Sequence, residues 1–136
     1  METTEEIMTL EAVREIFRKD RFATENGCEI DEIGENYAKC SLKLTDRHKN
    51  AMGGVMGGVP YLLADFAFAV AVNREKMRTV SLNAQVAFLA AAKGERLIAE
   101  ARCIKNGRST CYYNIGISDE LGTRVAEVNI TGFCKS

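Results

Sequence analysis

The feature that most constrains this chain is an apolar run, Val59–Val72, which contains a single charged side chain, Asp65. Gly57 and Gly58 come directly before it, and Pro60 stands where a first helical turn tolerates a residue without an N–H. The run therefore predicts a helix that begins at about Gly58. A helix that is apolar on every side must be covered by other elements, and this run is too short, and its middle too polar, for a bilayer span. We expect a buried central helix that carries one carboxylate.

Length, charge and cysteine content narrow the class of protein. A chain of 136 residues predicts one domain, residues 1–136, and a net charge of −1 gives no argument for a nucleic-acid or membrane partner. The acidic N-terminal segment METTEEIMTLEAV lacks the basic-then-apolar order of a signal peptide. Five cysteines without a CxxC pair then indicate reduced thiols in a cytoplasmic protein. One histidine and no clustered carboxylates argue against a metal site, and we expect no cofactor.

The rest of the chain predicts one amphipathic helix and six strands. The helix runs from Thr9 to about Lys19, with Thr9 as its N-cap. The period then changes to two, which is typical of strands. The predicted strands are Cys28–Ile33, Tyr37–Leu44, Thr79–Leu89, Glu95–Lys105, Arg108–Ser118 and Thr123–Cys134. Asn106-Gly107 is a two-residue hairpin signal, and the last four strands read as a meander. This order favours an α+β hotdog fold, in which a curved antiparallel sheet wraps one long helix.

The third strand shows the clearest alternation. Its apolar side chains would all share one face, with Ser81, Asn83 and Gln85 on the other face. The apolar set comprises Val80, Leu82, Ala84, Val86 and Phe88.

A motif around the central helix makes the comparison specific. The chain reads H-x-N at His48–Asn50, then G-G-V-x-G-G at Gly53–Gly58, then L-x-D-x-A around Asp65. This pattern resembles the hotdog-fold acyl-CoA thioesterases of the phenylacetate-degradation (PaaI) type. The N-G-R turn and the closing V-A-E-x-x-x-T-G are also similar to that family.

The resemblance implies a reaction and a set of catalytic residues. It implies hydrolysis of acyl-CoA by a homodimer or homotetramer, with sites at the subunit interface. Asp65 would activate water or attack directly, and the Gly57 N–H would hold the thioester oxygen. Asn50 would help to place the carbonyl or the water, and Ser81 would assist the water from the partner subunit.

The resemblance also implies contacts with the substrate. Met56, Gly58, His48 and Phe66 would contact the substrate, which is an acyl-CoA of unspecified acyl group. The sequence departs from the family motif at two positions. The motif histidine is replaced by Met56, and the proline usual after the central strand is missing from Ala90–Ala92. Because the carboxylate and the backbone donor remain, we expect hydrolytic activity to survive.

Each predicted site residue also has a purely structural interpretation. Asp65 could be hydrogen-bonded across a dimer interface, the paired glycines could simply start a helix, and Asn50 could be a turn residue. Ser81 could belong to a solvated polar row, and Lys105 and Arg108 could be ordinary turn residues that never meet CoA phosphates. A non-catalytic acyl-CoA-binding module is the alternative function, and a hydratase is a weaker third one.

Overall fold

The structure is a computed structural model that describes residues 8–73 and 78–135. The described part of the chain contains three α-helices, one 3-10 turn at Asp46–His48 and six strands. The helices are α1 (Leu10–Phe17), α2 (Arg21–Glu25) and α3 (Gly58–Val72). The strands are β1 (Cys28–Gly34), β2 (Tyr37–Lys43), β3 (Thr79–Phe88), β4 (Arg96–Asn106), β5 (Thr110–Asp119) and β6 (Arg124–Cys134).

All six strands form one antiparallel sheet in the order β1-β2-β4-β5-β6-β3. One face of the sheet packs on α3, so the predicted α+β hotdog architecture is confirmed. The predicted four-strand meander is wrong in one respect, because β3 pairs with β6 at the sheet edge instead of with β4. The chain reaches β3 only after α3, a helix of 15 residues that is about 22 Å long.

The core lies between α3 and the concave face of the sheet. Helix α3 begins at Gly58, as the glycine pair predicts, and no helix in residues 8–73 and 78–135 is long and apolar enough to cross a membrane. Its residues Leu63, Ala64 and Val70 are fully buried against the sheet. Phe66 packs edge-on against Phe17 of α1, with ring centroids 6.0 Å apart. The five cysteines are all free thiols.

The N-terminal helix is shorter than its sequence pattern predicts. Thr9 is its N-cap, and the Thr9 hydroxyl accepts the N–H of Ala12 at 3.1 Å. The helix ends at Phe17, and a second short helix, α2, follows it. The sequence analysis missed α2 because five residues are too few to show helical periodicity.

A β-bulge breaks the predicted alternation at the start of β3, whereas Ala84, Val86 and Phe88 share one face as predicted. Ser81 pairs with Gly132 and Ala84 pairs with Ile130, and the register shifts between Ser81 and Asn83. Directly opposed residues share a face of the sheet, so Ser81 joins Ala84 on the helix-facing side. Val80 pairs with Phe133 and leaves that side. The extra residue in the bulge reverses the alternation, which a period-two pattern cannot show.

The β4–β5 hairpin also turns later than predicted. Strand β4 continues through Asn106, and the Gly107 N–H donates to the Thr110 carbonyl at 2.8 Å. The turn therefore centres on Arg108 and Ser109 instead of Asn106-Gly107. Neither Asn106 nor Gly107 has the positive φ that a type I′ turn requires. A bulge between Cys103 and Lys105 shifts the register before the turn is reached.

Candidate active site

The loop before α3 is folded by one side chain, Asn50. Its Oδ1 accepts the N–H groups of Met52 at 2.9 Å and Gly54 at 3.0 Å. Its backbone N–H also donates to the Gly54 carbonyl at 2.7 Å. Gly53 lies inside this turn at φ +89°, a conformation that favours glycine. Asn50 Oδ1 therefore fixes the shape of the glycine loop.

His48, the only histidine in the sequence, is buried next to the same loop. His48 is 3% exposed, and its Nδ1 accepts the Thr45 N–H at 3.0 Å. With Nδ1 as an acceptor, Nε2 carries the proton and donates to the Asn26 carbonyl at 2.7 Å. Both ring nitrogens are therefore used by the backbone, and neither is left for the substrate contact that the sequence motif implied.

The N-terminus of α3 presents one backbone donor to solvent. Gly57 is the N-cap, is exposed, and its N–H has no acceptor among the described residues. A Cβ at this position would lie 3.4 Å from Cζ of Phe88, so the glycine keeps the backbone open beside that ring. Backbone N–H groups and the helix dipole both favour negative charge at this point.

Met56, which replaces the histidine of the family motif, contacts the N–H of Gly58. The Sδ atom of Met56 lies 2.9 Å from the Gly58 nitrogen and accepts its N–H. Met56 also ends the glycine loop, since its own N–H donates to the His48 carbonyl at 2.9 Å.

Asp65 lies on the one side of α3 that the protomer leaves partly uncovered. The half-buried residues of the helix share this side, and they are Tyr61, Leu62, Asp65, Ala69 and Val72. The Asp65 carboxylate accepts no hydrogen bond from any described residue. Burial raises the pKa of this carboxyl group, and the negative charge of Asp20 raises it further. An ionisable group with a shifted pKa and no structural partner is a candidate catalytic group.

A groove of about 570 Å³ runs beside the N-terminus of α3. Gly57, Phe88, Lys49 and the segment 90–92 are among the residues that line it. Asp65 lies two turns further along the helix and is not part of this lining. One chain therefore supplies a backbone donor in a groove and a carboxylate on a separate, partly open helix face.

Two other predicted residues do not share the open side of α3 with Asp65 in the single chain. Phe66 is 1% exposed in the core, where it packs on Phe17, so its ring faces away from the open side of α3. Ser81 is exposed on the edge strand β3. The sequence analysis predicted neither the position of Phe88 beside Gly57 nor the effect of Asp20 on Asp65, because both depend on how distant elements pack. Among the residues that the structure describes, no group of three His, Cys, Asp or Glu side chains is placed to hold a metal ion.

Comparison with known proteins assigns the family. Residues 52–129, more than half of the chain, match the model of the Thioesterase superfamily. The chain is 29% identical to the acyl-coenzyme A thioesterase PaaI of Escherichia coli, over 82% of this chain and 80% of that protein. The structure of the E. coli PaaI protein matches with a TM-score of 0.84, covering 93% of this chain and 92% of that one.

Two further solved structures share the fold. The TT0310 protein of Thermus thermophilus has a TM-score of 0.76 and 28% identity, over 83% of this chain and 96% of that chain. A hypothetical thioesterase of Streptococcus pneumoniae, solved with coenzyme A, has a TM-score of 0.78 and 22% identity, over 88% and 99% of the two chains. The chain belongs to the thioesterase superfamily and is a hotdog-fold thioester hydrolase of the PaaI-like type, as its sequence motif predicted.

Proposed function

We propose that this protein hydrolyses acyl-CoA or aryl-acyl-CoA thioesters to the free acid and CoA. The observation that carries the proposal is the Asp65 carboxylate, which is half-buried in an apolar helix without a hydrogen-bond partner in the described chain. The name of the E. coli relative and the coenzyme A in the S. pneumoniae structure support CoA as the thiol part of the substrate.

In the proposed reaction the substrate carbonyl meets the free N–H of Gly57 in the groove of one copy. Because Asp65 of the same chain lies outside that groove, the Asp65 that acts belongs to the second copy. Water attacks the thioester carbon while Asp65 takes its proton, or Asp65 attacks first and water hydrolyses the resulting anhydride. The Gly57 N–H, at the positive end of the helix dipole, stabilises the oxyanion that forms. Asn50 contributes by fixing the loop that precedes this donor. The reaction includes no metal or cofactor.

The proposal includes a second copy of the chain. The open side of α3 carries Asp65, and the edge strand β3 is exposed along almost its whole length. Pairing of two β3 edges would cover these surfaces and extend the sheet across a two-fold axis. Ser81 of one copy would then approach Asp65 of the other and assist the attacking water.

The test is release of CoA thiol, followed with a thiol-reactive dye over a panel of acyl-CoAs. Asp65→Asn keeps the shape of the side chain and removes its basicity, so turnover should fall by roughly 10²–10⁴. Acyl-CoA affinity should change little, because the carboxylate acts at the reacting carbon. Asp31→Asn, on the far edge strand β1, is the matched control and should keep parental turnover.

Two outcomes would contradict the proposal. A folded Asp65→Asn variant that hydrolyses acyl-CoA as fast as the parent would remove the assigned role of Asp65. A parent that binds acyl-CoA and releases no thiol would instead indicate the non-catalytic binding module.

A further inference from the structure

Two successive N–H groups at the start of α3 differ in what they contact. The Gly57 N–H has no acceptor among the described residues, whereas the Gly58 N–H donates to the Met56 sulfur at 2.9 Å. A thioether is a weak hydrogen-bond acceptor, and the Met56 side chain is 50% exposed. The sulfur is therefore held loosely and has space to move when a stronger acceptor arrives.

The contact depends on glycine at position 58. A Cβ there would lie 3.1 Å from the Met56 Sδ and 3.2 Å from its Cε, closer than ordinary van der Waals contact. The thioether therefore lies directly against the bare backbone of Gly58. The Met56 sulfur therefore occupies the Gly58 N–H, whereas the N–H of the preceding residue, Gly57, has no acceptor among the described residues.

We propose that Met56 is a positioning residue, which caps the Gly58 N–H until the substrate oxygen displaces it. This inference rests on the proposed function and deepens it. An oxyanion is a far stronger acceptor than a thioether sulfur, so the developing charge takes the Gly58 N–H from Met56. Two backbone donors then stabilise the oxyanion instead of one. The strength of the acceptor at position 56 therefore sets turnover.

The test varies acceptor strength at nearly constant size. Met56→Gln places an amide oxygen near the Gly58 N–H, and a strong cap should lower kcat roughly tenfold or more, by analogy with loss of one oxyanion donor. KM should stay within a few-fold, because the ground-state carbonyl gains less from this donor than the oxyanion does. Met56→Leu cannot accept a hydrogen bond and leaves the Gly58 N–H free for the substrate oxygen, so kcat should rise. Met52→Gln is the control, because Met52 is 94% exposed and makes no such contact through its side chain.

A second measurement follows the Gly58 amide itself by NMR on ¹⁵N-labelled protein. The probe is an acetyl-CoA analogue in which CH₂ replaces the thioester sulfur. Its binding should shift the Gly58 resonance in the parent and in Met56→Leu, and should shift it much less in Met56→Gln.

The outcomes separate this inference from the proposed function. Equal kcat losses in Met56→Leu and Met56→Gln, or an unmoved Gly58 resonance in the parent, would overturn the cap. A parent that releases no CoA but shows the Gly58 shifts would refute hydrolysis and retain the cap. A chain that neither hydrolyses acyl-CoA nor binds the analogue would overturn both.

Discussion

At the residue scale, Asp65 is placed at a cost to the folded state. Burial, and then the charge of Asp20, raise the pKa of its carboxyl group above the ordinary value. The folded protein therefore binds this proton more tightly than the unfolded chain does. Stability consequently decreases as the pH rises through the raised pKa, and the full penalty applies above it. The base form that the proposed reaction needs is the form that folding disfavours.

Asp65→Asn should therefore raise Tm by a few degrees at pH 7 while it removes activity. An amide costs less to bury than an ionised carboxylate. The gain should shrink as the pH falls below the ordinary carboxyl range, where Asp65 is protonated in both states. Thermal unfolding of parent and variant between pH 3 and pH 8 measures this. A variant that is less stable than the parent at pH 7 would show that the carboxylate has a stabilising partner.

In the same pH range, the activity of the parent should be lost on the acidic side at a pH above the ordinary carboxyl range. The general base must be ionised, and its pKa lies above that of an ordinary carboxyl group. The value of kcat/KM should therefore begin to fall at a higher pH than an exposed aspartate would produce. Asp20→Asn removes one cause of the shift and should move this loss of activity to lower pH. An unchanged pH dependence would contradict the contribution of Asp20.

Some of these residues could be predicted from the sequence, because the residue type and its neighbours in the chain are enough to mark them. A lone Asp in an apolar helix and a glycine pair before a proline mark Asp65 and Gly57 without any coordinates. The places of His48 and Met56 could not be predicted, because each depends on backbone geometry. The His48 ring lies between two backbone segments, and the Met56 sulfur folds back on a neighbouring N–H.

At the element scale, every strand and helix except α2 could be predicted, and the register of the strands could not. The bounds of α3 follow from an apolar run after a glycine pair, and those of β1 and β2 follow from a period of two and from glycine and asparagine turns. The bulges in β3 and β4 each insert one unpaired residue, which shifts the face or the turn that follows. Such shifts depend on pairing between distant strands, so a local pattern carries no sign of them.

The Asp119 carboxylate holds residues 93 and 94, next to the segment 90–92 that lines the groove. Its Oδ2 accepts the N–H groups of Lys93 and Gly94 at 2.8 and 2.9 Å. Its Oδ1 accepts those of Leu121 and Thr123 at 3.0 and 2.9 Å. Burial alone would raise the pKa of Asp119, but these backbone donors outweigh it and hold the pKa well below its usual range.

Asp119→Asn should lower Tm by several degrees at pH 7. The amide offers one oxygen, so its NH₂ group must face two of the four N–H donors. The stabilisation from a lowered pKa is present above the ordinary carboxyl range and is lost as the pH falls towards the lowered pKa. The difference between parent and variant should therefore diminish in acid, as followed by urea denaturation at pH 7 and pH 3. A difference that grows in acid would contradict this assignment.

At the scale of the whole molecule, the exposed strand β3 predicts a dimer. Leu82 lies in the bulge of this strand and is 61% exposed, with Val80 exposed nearby. Leu82→Lys would place a charge in the paired edge and should dissociate the dimer at micromolar concentration. Leu121→Lys is the matched control, because Leu121 is 67% exposed in the β5–β6 turn, outside the β3 edge, and precedes the end of β6 opposite to the end beside Leu82. Sedimentation equilibrium distinguishes the two, and a parent that is monomeric and folded would refute the dimer.

The sheet has a second edge, β1, which shares a bulge with β3 but differs from it in charge and in a blocked carbonyl. It is bulged between Ile30 and Glu32, it carries the acidic residues Glu29, Asp31 and Glu32, and the Arg14 guanidinium occupies the Ile30 carbonyl at 2.8 and 3.0 Å. Like charges and a blocked carbonyl prevent another strand from adding there. If copies join through β3, edge-to-edge growth of the sheet therefore ends at two chains instead of continuing into a fibre.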